Sequence, residues 1–205
     1  MLSYLIFGIT FGFAAAAQPG PLQTYIISQT FSNGWRRTLP ASFSPLISDI
    51  PIIILVLFLL SQVPSWLIQF LHLAGALFLF YLVYDTYKTW KNYDANKRVK
   101  VQSNQQTLFK AALVNFLNPN PYLGWSLVMG PLFLKGYNEA PIKGITLIIS
   151  FYTTLIIGIA AIIFLFSFAR NFGPKVVKIM LGISIIGLAV FGIYQLWLGI
   201  NPYFN

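Results

Sequence analysis

The sequence predicts an all-α integral membrane protein, and three observations carry that prediction. Only 8% of its 205 residues are charged and 57% are hydrophobic, whereas a soluble domain carries about 25% charged residues. Mean hydropathy is +0.73. The apolar residues come in unbroken runs such as "IPIIILVLFLL", where the strands of a membrane barrel would alternate over about 10 residues. The chain has no cysteine and a single histidine, His72. Disulfides, thiolate chemistry and a multi-histidine zinc site within one chain are thereby excluded, and no cofactor is expected.

Six apolar segments predict six membrane-spanning helices, at roughly 2–31, 38–61, 65–90, 108–134, 142–169 and 174–200. Turn residues or charge separate them: Asn33-Gly34, Gln62-Val63-Pro64, the polar run 91–107, Lys135-Gly136 and Gly173-Pro174. The first segment lacks the positively charged leader of a signal peptide, so it reads as a retained span. Two three-helix units follow, residues 1–90 and 108–205, joined by a polar linker at 91–107.

The basic residues give the orientation. Arg36 and Arg37 follow span 1. Lys88, Lys91, Lys97, Arg98, Lys100 and Lys110 lie between spans 3 and 4, and Arg170, Lys175 and Lys178 between spans 5 and 6. With six spans these regions share one side, and they hold eleven of the thirteen basic residues. By the positive-inside rule that side is cytoplasmic, leaving both termini outside, in what reads as a prokaryotic inner membrane. The net charge of +9 is then topology and headgroup attraction. Nucleic acid is not an expected partner, because no basic stripe interleaves with stacking aromatics.

Two spans contain residues that helices avoid. Span 1 carries "QPGPL" and span 4 carries "NPNPYL". Proline removes a backbone donor and clashes with the preceding turn, and each orphaned backbone group costs several kcal/mol in hydrocarbon. Such stretches persist where protein or a water-filled cavity satisfies them. Because spans 1–3 and 4–6 run in opposite directions, the paired breaks predict an inverted 3+3 repeat. Interrupted segments at corresponding positions of two halves point to a transporter's binding site. The candidate substrate-binding residues are Gln18, Pro19, Gly20 and Pro21 in the first break, and Asn115, Asn118, Pro119, Asn120 and Pro121 in the second. Their amides both donate and accept, which suits a zwitterion. The alternative is that the prolines only kink helices for packing.

Asp49 sits mid-span in "PLISDIPIII". An ionised Asp there costs about 2.5–3.5 kcal/mol on the insertion scale, and no basic residue is near it in sequence. It is the candidate proton- or ion-coupling group, with a structural carboxyl bonded to a neighbouring helix as the alternative. Pro45 and Pro51 flank it, so span 2 is expected to be irregular there. Asp85 ends span 3 and is a candidate gate, or else pairs on the helix surface with Lys88, three residues on. His72 reads as an interfacial residue, with a proton relay as the alternative, and Asp94 and Glu139 as solvated loop residues. Gln18, Thr24, Ser28 and Gln29 recur along span 1, and Asn115, Asn118 and Ser126 along span 4. Tyr152 and Thr153 stand in span 5. Gly182, Gly187 and Gly192 suggest close helix packing in span 6, and a homodimer is a candidate assembly.

These stretches together resemble the lysine exporter family of membrane translocators, the LysE-like and homoserine/threonine exporter group. "QPGP" is similar to the family's Pro-Gly-Pro signature, and "SNGWRRTLPAS" followed by Asp49 to its run from the first loop into span 2. "LAGALFLFYLVYDTYK" resembles its third span, "KAALVNFLNPNP" its fourth, and "KIMLGISIIGLAVFGIY" its glycine-rich last span. Asn120 stands where the family pattern has lysine. The resemblance implies export of amino acids or similar small solutes, driven by the proton or ion gradient.

A secondary exporter is thus the expected function, with a small-molecule substrate and the lipid bilayer as partners. A cation channel or hard-metal-ion permease using Asp49 and freed carbonyls is the alternative. An intramembrane enzyme is not expected, since no nucleophile–base set or paired-histidine motif is present.

Overall fold

Proline and glycine set where the helices of this chain start and stop. In the computed structural model, which describes residues 1–59, 65–93 and 103–201, the regular elements are helical throughout, as the composition requires. Helix α1 (Leu2–Ala17) ends at Gln18, and α2 (Pro21–Asn33) begins on Pro21, a first-turn position where the missing N–H has no role. The two helices are bent by 62° to one another. Gly34 stops α2 with φ at 79°, a left-handed conformation that favours glycine, and the Arg170 guanidinium packs where a Cβ would stand.

The next segment is irregular on both sides of Asp49, as the flanking prolines predict. It runs through α3 (Trp35–Thr38), a 3₁₀ turn at Leu39–Phe43, α4 (Ser44–Ile54, with Pro51 inside it) and a π-helical stretch at Leu55–Leu59. Next come α5 (Ser65–Lys91) and α6 (Asn104–Phe116), the latter opened by a capping box between Ser103 and Gln106. After a second interruption come α7 (Pro119–Gly124), a π-helical stretch at Trp125–Met129 and α8 (Gly130–Glu139). Two long helices, α9 (Pro141–Arg170) and α10 (Pro174–Ile200), complete the chain.

By length and composition, Trp35–Leu57, Ser65–Lys91, Pro141–Arg170 and Pro174–Ile200 can each cross a bilayer, and α1 with α2 adds another as a bent pair. The remaining predicted span is the interrupted run from α6 to α8. Leu77 on α5, Ile157 and Leu165 on α9, and Ile186 and Val190 on α10 are exposed. So continuous an apolar surface suits lipid rather than water.

Helix α5 packs along α10, α1 along α9, and α6 against α4 and the 3₁₀ turn. Gly187 faces Thr24 of α2 and Gly192 faces Phe80 of α5, so these glycines of the last helix serve packing inside the chain. The loops predicted to share one side do meet at one end. Arg170 lies against Gly34, and the Lys178 ammonium sits 5.3 Å from the Trp90 ring. At the opposite end Lys143 pairs with Glu139 at 2.9 Å, and this hydrogen bond holds the Glu139 carboxyl below the usual carboxylate range.

His72 is buried within the chain, its Nδ1 hydrogen-bonded to the Gln195 side chain between α5 and α10. One expectation changes. Asp85 forms its ion pair with Lys110 of α6 at 2.6 Å, not with Lys88 one turn along its own helix. Gln62-Val63-Pro64, Asp94, Lys97, Arg98, Lys100 and most of the 91–107 linker lie outside the described residues.

Candidate functional site

Two prolines within three residues remove predictable rungs from a helix. At the first break Pro19 and Pro21 have no N–H, and Gly20 is extended at φ −165° and ψ −179°. The carbonyls of Ala15 and Ala16 thereby lose their helical donors. The side-chain amide of Gln23 replaces them, its Nε2 donating to both at 3.1 and 3.3 Å. The first turn of α2 leaves the N–H groups of Leu22 and Gln23 without intrahelical partners, and both residues line a cavity.

The second break is satisfied differently. Asn118 caps α7, its Oδ1 accepting from the Asn120 N–H at 3.1 Å. Its own N–H turns back to the Asn115 carbonyl at 3.2 Å. Pro121 offers no donor to the Leu117 carbonyl, which instead lies against Gly75 of α5. A Cβ on Gly75 would stand 2.8 Å from that oxygen, so this close approach requires glycine.

A cavity of about 140 Å³ lies between the breaks. Gln18, Pro19 and Gly20 line it from the first, and Asn115, Asn118, Asn120 and Pro121 from the second, with Asp49 between them. Pro21 and Pro119 are not among the lining residues. They occupy the first positions of α2 and α7, where they set the helix starts. Asp85 also lies apart from the cavity.

Asp49 is 4% exposed, and three helices share its carboxylate. From α6, Asn115 Nδ2 donates to Oδ1 at 2.9 Å and to the Ser48 hydroxyl at 2.7 Å. From α9, the Tyr152 hydroxyl donates to Oδ2 at 3.0 Å. The indole of Trp125 lies alongside. All of these partners are neutral, and no lysine or arginine is among the residues lining the cavity. Asn120 also lines the cavity, and its backbone N–H goes to the local cap.

Phe11 of α1, Trp125 and Met129 of the π-helical stretch, and Phe151 and Leu155 of α9 form the apolar wall. A π-turn shifts side-chain directions within a helix and recurs at functional sites, and here it turns both of its buried residues toward the cavity. Sequence reasoning gave no role to these residues or to Gln23. A glutamine one turn beyond a Pro-x-Pro break was a usable signal for the carbonyl contact. The wall residues were hidden in a sequence of which 17% is aromatic. The cavity thus brings together a carboxyl group, amide side chains, the unpaired N–H groups at the head of α2 and an apolar wall.

No curated protein and no solved structure matches the chain. A family model does, over residues 13–196, a range that takes in both breaks, Asp49 and most of the last helix. The chain belongs to the family of LysE type translocators.

Proposed function

We propose that this chain is a secondary transporter that exports amino acids or similar small polar solutes, with Asp49 carrying the coupling proton. The observation that carries the reading is the cavity between two helix breaks, with one carboxyl group in its wall. A substrate ammonium pairs with Asp49 and the amides of Asn115 and Asn118. A substrate carboxylate meets the N–H groups that open α2, where the helix dipole favours negative charge. This division of labour accounts for the missing cationic side chain. The paired breaks also support an inverted relation between residues 1–90 and 108–205, with the basic end cytoplasmic and both termini outside.

Protonation of Asp49 removes the charge that holds the ammonium, so substrate and proton exclude one another on this group. One proton crossing 100 mV supplies about 2.3 kcal/mol, which sustains roughly a fifty-fold solute ratio. A hard-cation permease fits less well. The Asp49 oxygens are met by N–H and O–H donors, whereas a metal needs further oxygen ligands.

Proteoliposomes loaded with a mixture of amino acids test the reading. Gradient-driven efflux is expected from the natural chain and is lost in Asp49→Asn. Full gradient-driven efflux in Asp49→Asn would exclude the coupling role.

A further inference from the structure

The cavity and the basic end are separated by packed side chains. From α2 it takes Leu22 and Gln23, from α6 Asn115, and from α5 nothing. Toward the basic end the same helices are packed shut. Tyr25, Ile26, Ser28 and Thr30 of α2, Leu79, Leu82 and Thr86 of α5, and Thr107, Ala111 and Val114 of α6 are buried. This plug is unusually polar for a seal at membrane depth. The Ser28 and Thr86 hydroxyls meet at 3.3 Å. The Tyr25 hydroxyl is buried near Asp85 and Tyr81, with no hydrogen-bond partner among the described residues.

Across the outer edge of the plug runs the ion pair between Asp85 of α5 and Lys110 of α6, at 2.6 Å, with the Lys110 ammonium 5.1 Å from the Tyr81 ring. The two helices belong to different packing groups. Helix α5 is fastened along α10, α6 is fastened to α4, and α5 and α6 otherwise meet lightly. The two side chains keep 18% and 28% of their surface in solvent. Parting them therefore carries less of the penalty that a lone ion meets in a fully buried pair.

We infer that the Asp85–Lys110 pair is the latch of the basic end: it holds the α5 and α6 groups together while the cavity faces the other end, and it parts when access alternates. This rests on the transporter reading above. Opening there would uncover the Tyr25, Ser28 and Thr86 hydroxyls as a polar path to the cavity, so the plug can be wetted without stranding apolar surface.

Because the chain has no cysteine, single cysteines report access directly. Ser28→Cys probes the plug and Phe11→Cys the cavity wall, each labelled with a charged methanethiosulfonate in vesicles of both orientations. Adding Asp85→Asn or Lys110→Gln is expected to speed labelling of Ser28→Cys by about fivefold, as loss of a partly exposed pair implies, and to slow labelling of Phe11→Cys. The reversed pair, Asp85→Lys with Lys110→Asp, is expected to restore slow labelling at Ser28→Cys. Unchanged labelling in the single variants, faster labelling at both probes, or a reversed pair as reactive as the single variants would each overturn the latch. Labelling needs no solute. A latch that behaves as expected in a chain without amino-acid efflux would therefore leave the inference standing and sink the proposed substrate.

Discussion

The two helix breaks solve one chemical problem in two ways. The first is bridged by a side chain from beyond the gap, with the Gln23 amide supplying the donors that Pro19 and Gly20 do not. The second is closed locally by the Asn118 cap, and a neighbouring helix is brought against the carbonyl that remains. The first break keeps free N–H groups at the head of α2. The second has proline at two of its three opening positions and commits the third, Asn120, to the cap. Similar sequence motifs thus yield unlike chemistry, one break suited to an anionic group and the other offering amide side chains.

Substitutions can break or sharpen this contrast. Gly75→Ala should have the largest effect. It drives a methyl against the Leu117 carbonyl, and over-packing of this kind costs up to about 3 kcal/mol. A thermal midpoint in detergent equal to that of the natural chain would mean that α5 does not support the second break. Gln23→Ala comes next, leaving two carbonyls without donors, at roughly 1 kcal/mol each. Gln23→Glu is expected to be no better, because a carboxylate cannot donate to them, and recovery by Glu would refute the bridging role. Asn118→Ala removes one cap, worth about 1 kcal/mol, while Asn118→Asp should retain most of the stability. The smallest change is expected far from both breaks, in Glu139→Gln. The folded-state value of Glu139 is lowered by Lys143, so its contribution is present above the ordinary carboxylate range and lost as pH falls through the folded value. The gap between Glu139→Gln and the natural chain in a thermal melt should therefore close on acidification, and a gap that widened would reverse the sign.

What could be read from the sequence divides along the same physical line. Helix class, the two breaks and the irregular span around Asp49 follow from local covalent facts, above all the missing N–H of Pro19, Pro21, Pro51, Pro119 and Pro121. Partners across helices do not. The contact of Tyr152 with Asp49 depends on how α9 is rotated, and that of Asp85 with Lys110 on which helix lies beside α5. Lys88 was the nearer base in sequence, yet the tertiary neighbour holds the pair. Nor does the sequence pair His72 with Gln195; that contact depends on the packing of α5 on α10.

The Asp49 carboxylate hangs from donors on two helices other than its own, Asn115 on α6 and Tyr152 on α9. Any rearrangement that parts those helices alters the hydrogen bonds that hold the charged form, and with them the proton affinity of the group. Thermodynamic reciprocity then runs the other way: adding or removing that proton must bias the spacing of α6 and α9 by the same factor. Under the proposed coupling role of Asp49, helix position and proton occupancy are two readings of one equilibrium, and the carboxylate needs no separate relay to tell the helices that it has been titrated.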